Sequence, residues 1–400
     1  MKSRTVIFTF LLVGAFCLTA SNTLAKNVRG VTDTEVKLGC LVDFSGPGKF
    51  AGPPLSMGAQ AYIRYANAQG TIHGRRIRLV VEDNGILPST TLAAAKKVIF
   101  KDEILAIGFN LGSIGTSAII PLCEENGVVL MPHGANRKFY YPGNKWVFVP
   151  HATQYNMAAR AVEYIVEKNP KARMGIIYQD DDFGRDGLGG ARAAAKFMNT
   201  KLVAEAPYKI GTIDLSPQVR MMKEANVDYI LMWSFLPQVG FVLKAKQKMA
   251  WDVKVIGNNT TAYRLLFPLA KQLADGYLCV TPFLPWEDIP QKVKGIVKKH
   301  SDYEKVATPP FPAPMYLACW TYFMAMVEGV KNAGRDLTPE SLLKGIEGIK
   351  DLDTMGMCPK MTFGPKRHVG YFSSMVLKAD AKNMRFVVES PIREPKTPQL

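Results

Sequence analysis

From Glu35 onward the sequence alternates short apolar runs with amphipathic stretches, and few folds accept that rhythm. EVKLGCLVDF (Glu35–Phe44) reads as a strand, SMGAQAYIRYANAQ (Ser56–Gln69) as a helix and RIRLVVE (Arg76–Glu82) as a second strand. TTLAAAKKVIFK (Thr90–Lys101) is a helix with Ser89 or Thr90 placed to cap it. Leu105–Phe109, a helix from about Ile114, and Val128–Met131 extend the series. A second series follows Pro150. It has helices over Asn156–Lys168, Gly187–Met198, Leu215–Ala225 and Val239–Met249, and strands at Met174–Tyr178, Lys201–Tyr208, Tyr229–Trp233, Val253–Gly257 and Tyr277–Val280. Buried strands separated by helices imply parallel sheets covered on both faces. Two such series predict an α/β fold of two doubly wound parallel-sheet lobes.

The last quarter breaks the rhythm. A long helix over Ala313–Ala333, a shorter one over Pro339–Gly348 and strands near Met361–Phe363, Ser374–Leu377 and Arg385–Val388 read as pieces that return to complete each lobe. The expected division is a first lobe of residues 35–153 with about 283–355, and a second of 154–282 with about 356–395. The Pro-rich Ala307–Pro314 segment reads as a loop within the first lobe. Repeated crossings between lobes make a hinge, the mechanical requirement for closing on a ligand.

The N-terminus has the layout of a cleavable secretory signal over residues 1–25. Lys2 and Arg4 precede the apolar run Val6–Leu18, and Thr23–Ala25 closes it. The run falls short of the roughly 20 residues a spanning helix needs, and Phe16 before Cys17 argues against a lipid anchor. The expectation is a soluble periplasmic protein. Its net charge of +16 is scattered, with no basic run or arginine-rich helix, which argues against nucleic acid as a partner. Five cysteines follow the leader (Cys40, Cys123, Cys279, Cys319, Cys358), far apart and without a C-x-x-C, so a zinc site is not expected and their pairing stays open.

Catalytic signatures are missing: there is no G-x-S-x-G, H-E-x-x-H or phosphate loop. The histidines His73, His133, His151, His300 and His368 stand apart, without metal-ligand spacing, and read as surface or hydrogen-bonded structural residues. GRDGLGG (Gly184–Gly190) invites a dinucleotide reading, but the third glycine falls out of register at Arg192. A tight turn with close helix–strand packing is the better reading. No metal or cofactor is expected.

Two strand-end turns point to binding instead. IGFNLGSIGTS (Ile107–Ser117) ends a strand in small residues and puts Ser113 at a helix start. Unpaired N–H groups there, the positive end of the helix dipole and a hydroxyl suit a carboxylate; a plain capping serine is the simpler alternative. MPHGAN (Met131–Asn136) is a second such turn, and open α/β sheets bind ligands at the carboxyl ends of their strands.

On FSGP (Phe44–Pro47), Gly58–Asn84, Ile107–Ser117, Tyr178–Gly187, Tyr208–Val219 and Asp228–Trp233, the chain resembles the periplasmic leucine/isoleucine/valine-binding protein family, the amino-acid-type solute receptors of ABC importers. The resemblance implies a type I periplasmic-binding fold with a three-crossover hinge, no catalysis, a monomer, and two partners: a small-molecule ligand and an inner-membrane ABC permease. It makes Ser113 the carboxylate-binding serine. Gly134 and Asn136 match a small and a hydroxylated residue completing the carboxylate and ammonium contacts. Phe183 and Phe235 stand for two pocket tyrosines, and Asn259 for the acid that neutralises an amino acid's ammonium. The family's first-lobe disulfide is missing, since EDNGILP (Glu82–Pro88) has no cysteine.

These departures leave the carboxylate end intact and the ammonium end without a charge, and a buried ammonium lacking its partner costs several kcal/mol. Asp181 and Asp182 are the candidates for supplying that charge, and Tyr140, Tyr141, Tyr263, Phe283 and Trp286 for lining the cleft. The expected ligand is an amino acid, branched-chain or other, or a desamino, possibly aromatic, acid. Amide or urea-like solutes, a sensory module on the same fold and a hydrolase on the same scaffold stand behind these.

Overall fold

A computed structural model describes residues 28–133, 136–140, 143–301 and 313–398. The leader, Cys17, Gly134, Tyr141 and most of the Pro-rich segment lie outside the described residues.

The first lobe is built on β1 (Glu35–Val42), β2 (Arg76–Asp83), β3 (Ala106–Leu111) and β4 (Val129–His133). They form a parallel sheet of order β2-β1-β3-β4. β3 and β4 are buried along their whole length, as expected of strands covered on both faces. Helices α1 (Gly52–Ala68), α2 (Pro88–Lys96) and α3 (Ser113–Glu125) connect them.

The second lobe's sheet runs through β5 (Met174–Gln179), β6 (Leu202–Tyr208), β7 (Tyr229–Trp233), β8 (Lys254–Gly257) and β9 (Leu278–Thr281). These five are parallel. β10 (Ser374–Asp380) and β11 (Arg385–Arg393) add an antiparallel edge, giving the order β11-β10-β9-β8-β7-β5-β6. The helices here are α4 (Gln154–Lys168), α5 (Asp182–Phe197), α6 (Ser216–Glu224), α7 (Leu236–Lys248) and the short α8 (Leu266–Ala270).

After β9 come α9 (Gln291–His300), α10 (Ala313–Ala333) and α11 (Pro339–Glu347). α10 packs on α1, β3 and α11, so the chain has returned to the first lobe. The approach is close: a Cβ on Gly108 of β3 would lie 2.6 Å from Phe323 of α10. The chain passes between the lobes three times, and two of the crossing segments run side by side as a parallel bridge between Val149 and Val369.

Several element ends differ from the sequence reading. α1 and α2 start earlier, with proline in the first turn, where its missing N–H has no partner to lose. The N-cap of α2 is Leu87, with no side-chain cap from Ser89 or Thr90. α5 begins at Asp182 rather than Gly187, because Asp181 accepts from the N–H groups of Phe183 and Gly184. Met361 makes only an isolated bridge to Leu352 where a strand was expected, and α9 was not anticipated. The five cysteines carry free thiols; Cys40 and Cys319 bring their sulfurs to 3.9 Å in the core.

Candidate solute-binding site

The first-lobe wall is set by the turn from β3 into α3. Gly112 is the N-cap, with φ +98°, and a Cβ there would meet Ile86 at 2.4 Å, so only glycine fits. No side chain caps the helix, which leaves the buried Ser113 as its first residue on the wall of a cavity between the lobes. A buried polar network holds the turn. Asn84 Nδ2 donates to Asn110 Oδ1 (3.1 Å) and the Leu111 carbonyl (2.8 Å), Asn110 Nδ2 to Thr116 Oγ1 (2.8 Å), and the Thr116 hydroxyl to the Gly112 carbonyl (2.8 Å). Leu111 pairs with His133 across β3 and β4, bringing the second strand end to the same wall.

The second lobe contributes Phe183, at the start of α5, and Phe235, the residue before α7. Their rings stack at 5.5 Å and 8°, and Phe50 of the first lobe meets Phe235 edge-on at 6.0 Å. Leu55, Ile86 and Met315 add apolar wall, so the space of about 570 Å³, its solvent-continuous part included, has few polar groups. Among the described residues those few are Ser113, His133, Gln179, Asp181, Thr260 and Tyr263. Asp181 caps α5 and accepts from Gln179 Nε2 at 2.6 Å; burial pushes its carboxyl above the ordinary range, against the donors that hold it down.

The lobes are latched beside the cavity. Ser117 Oγ and Lys138 Nζ each reach the Asp182 carboxylate at 2.7 Å, and Asn136 Nδ2 donates to the Asp182 carbonyl at 2.7 Å. Asp186, buried and pushed up to about 7 by that burial, accepts from the backbone N–H of Arg137 across the cleft and of Tyr155 in its own lobe. This is a closed arrangement.

A fold with a latched interlobe cavity narrows the field, and comparison with known proteins completes it. Residues 35–383 match the model of the periplasmic binding protein family. The chain belongs to that family. It is 23% identical over 273 residues to the Leu/Ile/Val-binding protein of Escherichia coli K12, covering 68% of this chain and 72% of that one. A fatty acid ABC transporter substrate-binding protein from Thermomonospora curvata superposes with a TM-score of 0.83 at 22% identity, over 93% and 96% of the two chains. A branched chain amino acid ABC transporter from Thermus thermophilus with bound valine gives 0.82 at 20% identity, over 92% and 98%. A solute binding protein of an ABC transporter from Rhodopseudomonas palustris BisB5, in complex with 3,4-dihydroxy benzoic acid, gives 0.78 at 17%, over 91% and 99%.

In this periplasmic binding protein Ser113, Phe183 and Phe235 come together on one cavity. Asn136 stands beside it, in the latch, with Oδ1 accepting from the Lys138 N–H. Asn259 is not on the lining: it is buried and its Oδ1 accepts from Gln154 Nε2 at 3.1 Å, while the next residue, Thr260, reaches the cavity. Of the aromatic candidates Tyr263 lines the cavity, whereas Phe283 and Trp286 line a separate cleft with Arg264 and Pro314. The histidines do not all stand apart: His133 Nδ1 and His151 Nε2 lie 3.0 Å from each other, both rings buried. Sequence reading missed His133 as a lining residue; its place at the end of MPHGAN's strand was the available signal. The glycines of Gly184–Gly190 are packing devices, since a Cβ on Gly187 would lie 2.0 Å from the Trp233 ring and one on Gly190 2.1 Å from the Tyr155 carbonyl oxygen.

Proposed function

We propose that this protein is the solute-capturing component of an ABC importer. It closes two lobes over a small carboxylate-bearing molecule and presents it unaltered to an inner-membrane permease, as a periplasmic monomer freed of residues 1–25. The observation that carries the reading is a single cavity that joins Ser113, on the first turn of α3, to the stacked Phe183 and Phe235 of the other lobe. The helix start and the hydroxyl suit an anionic end, and the rings suit a flat or apolar body. A desamino acid, aromatic in particular, fits best: Asn259 is bonded to Gln154, so the family's ammonium partner is neither charged nor on the lining. The neighbour holding 3,4-dihydroxy benzoic acid supports the same choice. Turnover is not part of this reading: among the described residues no hydroxyl or thiol is hydrogen-bonded to the ring of His133 or His151.

Asp181 on the lining favours a second reading, an amino acid whose ammonium meets that carboxyl. The valine-binding neighbour and the Leu/Ile/Val-binding relative support it. For both readings the lobes divide at 35–153 with about 283–355 and at 154–282 with about 356–395. Hydrogen bonds from Phe363 to Ile349 and from Gly370 to Val149 favour moving the third crossing to about 370–373.

Thermal-shift and calorimetric titration of the purified protein test these readings. A true solute raises stability by RT ln(1 + [L]/Kd), several degrees at saturation. Stabilisation by benzoate-like acids and not by leucine is expected; the reverse removes the desamino reading. Ser113→Ala weakens the bound acid by about 1–3 kcal/mol, and unchanged affinity removes Ser113 from the site.

A further inference from the structure

The reading above assigns the anionic end of the solute; two buried histidines set the hydrogen-bonding polarity further in. His151 Nδ1 lies 2.6 Å from the Ala152 carbonyl oxygen. A carbonyl only accepts, so that nitrogen carries the proton. Burial holds both rings in the neutral form: it pushes His151 down to about 4, and His133, with His151 beside it, well below the usual imidazole range. A neutral imidazole has one N–H and one bare nitrogen. His151 Nε2 is therefore the acceptor in the 3.0 Å contact, and His133 Nδ1 donates to it.

The relay ends at His133 Nε2, a bare lone pair. His133 is 6% exposed and lines the cavity, and among the described residues nothing hydrogen-bonds to that nitrogen. The ring cannot easily turn away. It stacks on Phe109 at 5.3 Å and meets Tyr322 edge-on at 5.7 Å, while the Tyr322 hydroxyl donates to the Pro132 carbonyl instead. Nε2 is not one of the partnerless side-chain atoms sealed from solvent, so it is accessible; a solute that covers it without a donor costs its desolvation, and one that brings a donor to Nε2 is favoured.

We propose that His133 selects the solute by accepting a hydrogen bond at Nε2, so that the protein takes small hydroxylated carboxylic acids in preference to the same acids without the hydroxyl. This rests on the reading of the cavity as a carboxylate site. A hydroxyl suits the position better than an ammonium. A full positive charge there would face a neutral histidine pair, and Asp181, the acid on the lining, already accepts from Phe183, Gly184 and Gln179.

The test is calorimetry on the purified mature protein with matched acids: benzoate against its 2-, 3- and 4-hydroxy forms, and 4-methylpentanoate against 2-hydroxy-4-methylpentanoate. At least one hydroxylated member should bind about tenfold or more tightly than its parent, the size of one satisfied buried hydrogen bond. His133→Phe should abolish that preference, read as the ratio of the two affinities within the same variant, and His133→Gln, which keeps an acceptor, should restore part of it. If His133→Phe does not fold, His151→Phe replaces it: with the relay cut, His133 is free to carry its proton on Nε2, and the preference should narrow. Two-bond nitrogen–proton correlation spectra of labelled protein should report His133 protonated on Nδ1. Equal affinity for parent and hydroxylated acids, a preference that survives His133→Phe, or an Nε2–H His133 overturns the proposal while leaving the carboxylate reading standing. Failure of every acid to bind overturns both, and in that case leucine binding identifies the amino-acid reading as the survivor.

Discussion

At the scale of single residues, two buried titrating groups pull in opposite directions with pH. His151 sits near 4 in the folded protein against an ordinary value of 6.5. Its folded-state value is depressed, so its contribution is present above pH 6.5 and is lost as pH falls toward 4, about 2 kcal/mol by pH 5. Asp186 is raised to about 7, so its contribution is full below the ordinary carboxylate range and fades as pH rises toward 7. Melting curves at pH 7 and pH 5 separate the two: His151→Phe should flatten the loss on acidification, and Asp186→Asn, which removes the opposing group, should steepen it. Neither effect was legible from the chain. His133 and His151 are 18 positions apart and meet only because the crossing segment folds back beside β4. Ser113 was legible, because strand end, small residues and helix start follow one another in the sequence. Asn259 lies on the turn that follows β8, but what its side chain bonds depends on the docking of α4, which no local pattern records.

At the scale of elements, the clearest expectation concerns α5. Gly187 lets that helix lie against Trp233 of β7, and a Cβ there would stand 2.0 Å from the indole. Gly187→Ala should destabilise the protein by about 2–3 kcal/mol in urea titration, the cost of overpacking a close contact. Helices and strands were recognisable from their periodicity, whereas several helix starts were not. Proline at the first positions of α1 and α2 and the Asp181 cap of α5 fall outside the helices that periodicity predicts, since the same residues also serve turns. α9, QKVKGIVKKH, escaped because its few apolar residues cover a narrow stripe, with Val293 and Val297 buried.

At the scale of the molecule, closure depends on a small set of contacts. Asp182 ties α5 to Ser117, Asn136 and Lys138 of the other lobe, and Asp186 ties it to the Arg137 backbone. Lys138 is more than half exposed, so that ion pair contributes little; the Ser117 contact is the larger loss. Asp182→Ala should weaken solute binding by about 1 kcal/mol with the melting temperature of the solute-free protein nearly unchanged. Small-angle scattering should show a larger radius of gyration at subsaturating solute. An unchanged radius and affinity would mean that the bound solute, and not the latch, holds the lobes together.

The return of α10 to the first lobe and of β10 and β11 to the second also sets a timetable. β3 is made some two hundred positions before the helix that covers it. Neither core is complete until residues near the C-terminus have emerged, so contacts across such separations form late. A chain built this way is expected to stay incompletely folded, and so threadable through a narrow channel, until late in its synthesis. For the export proposed above, the order of its segments would itself be a safeguard against folding on the wrong side of the membrane.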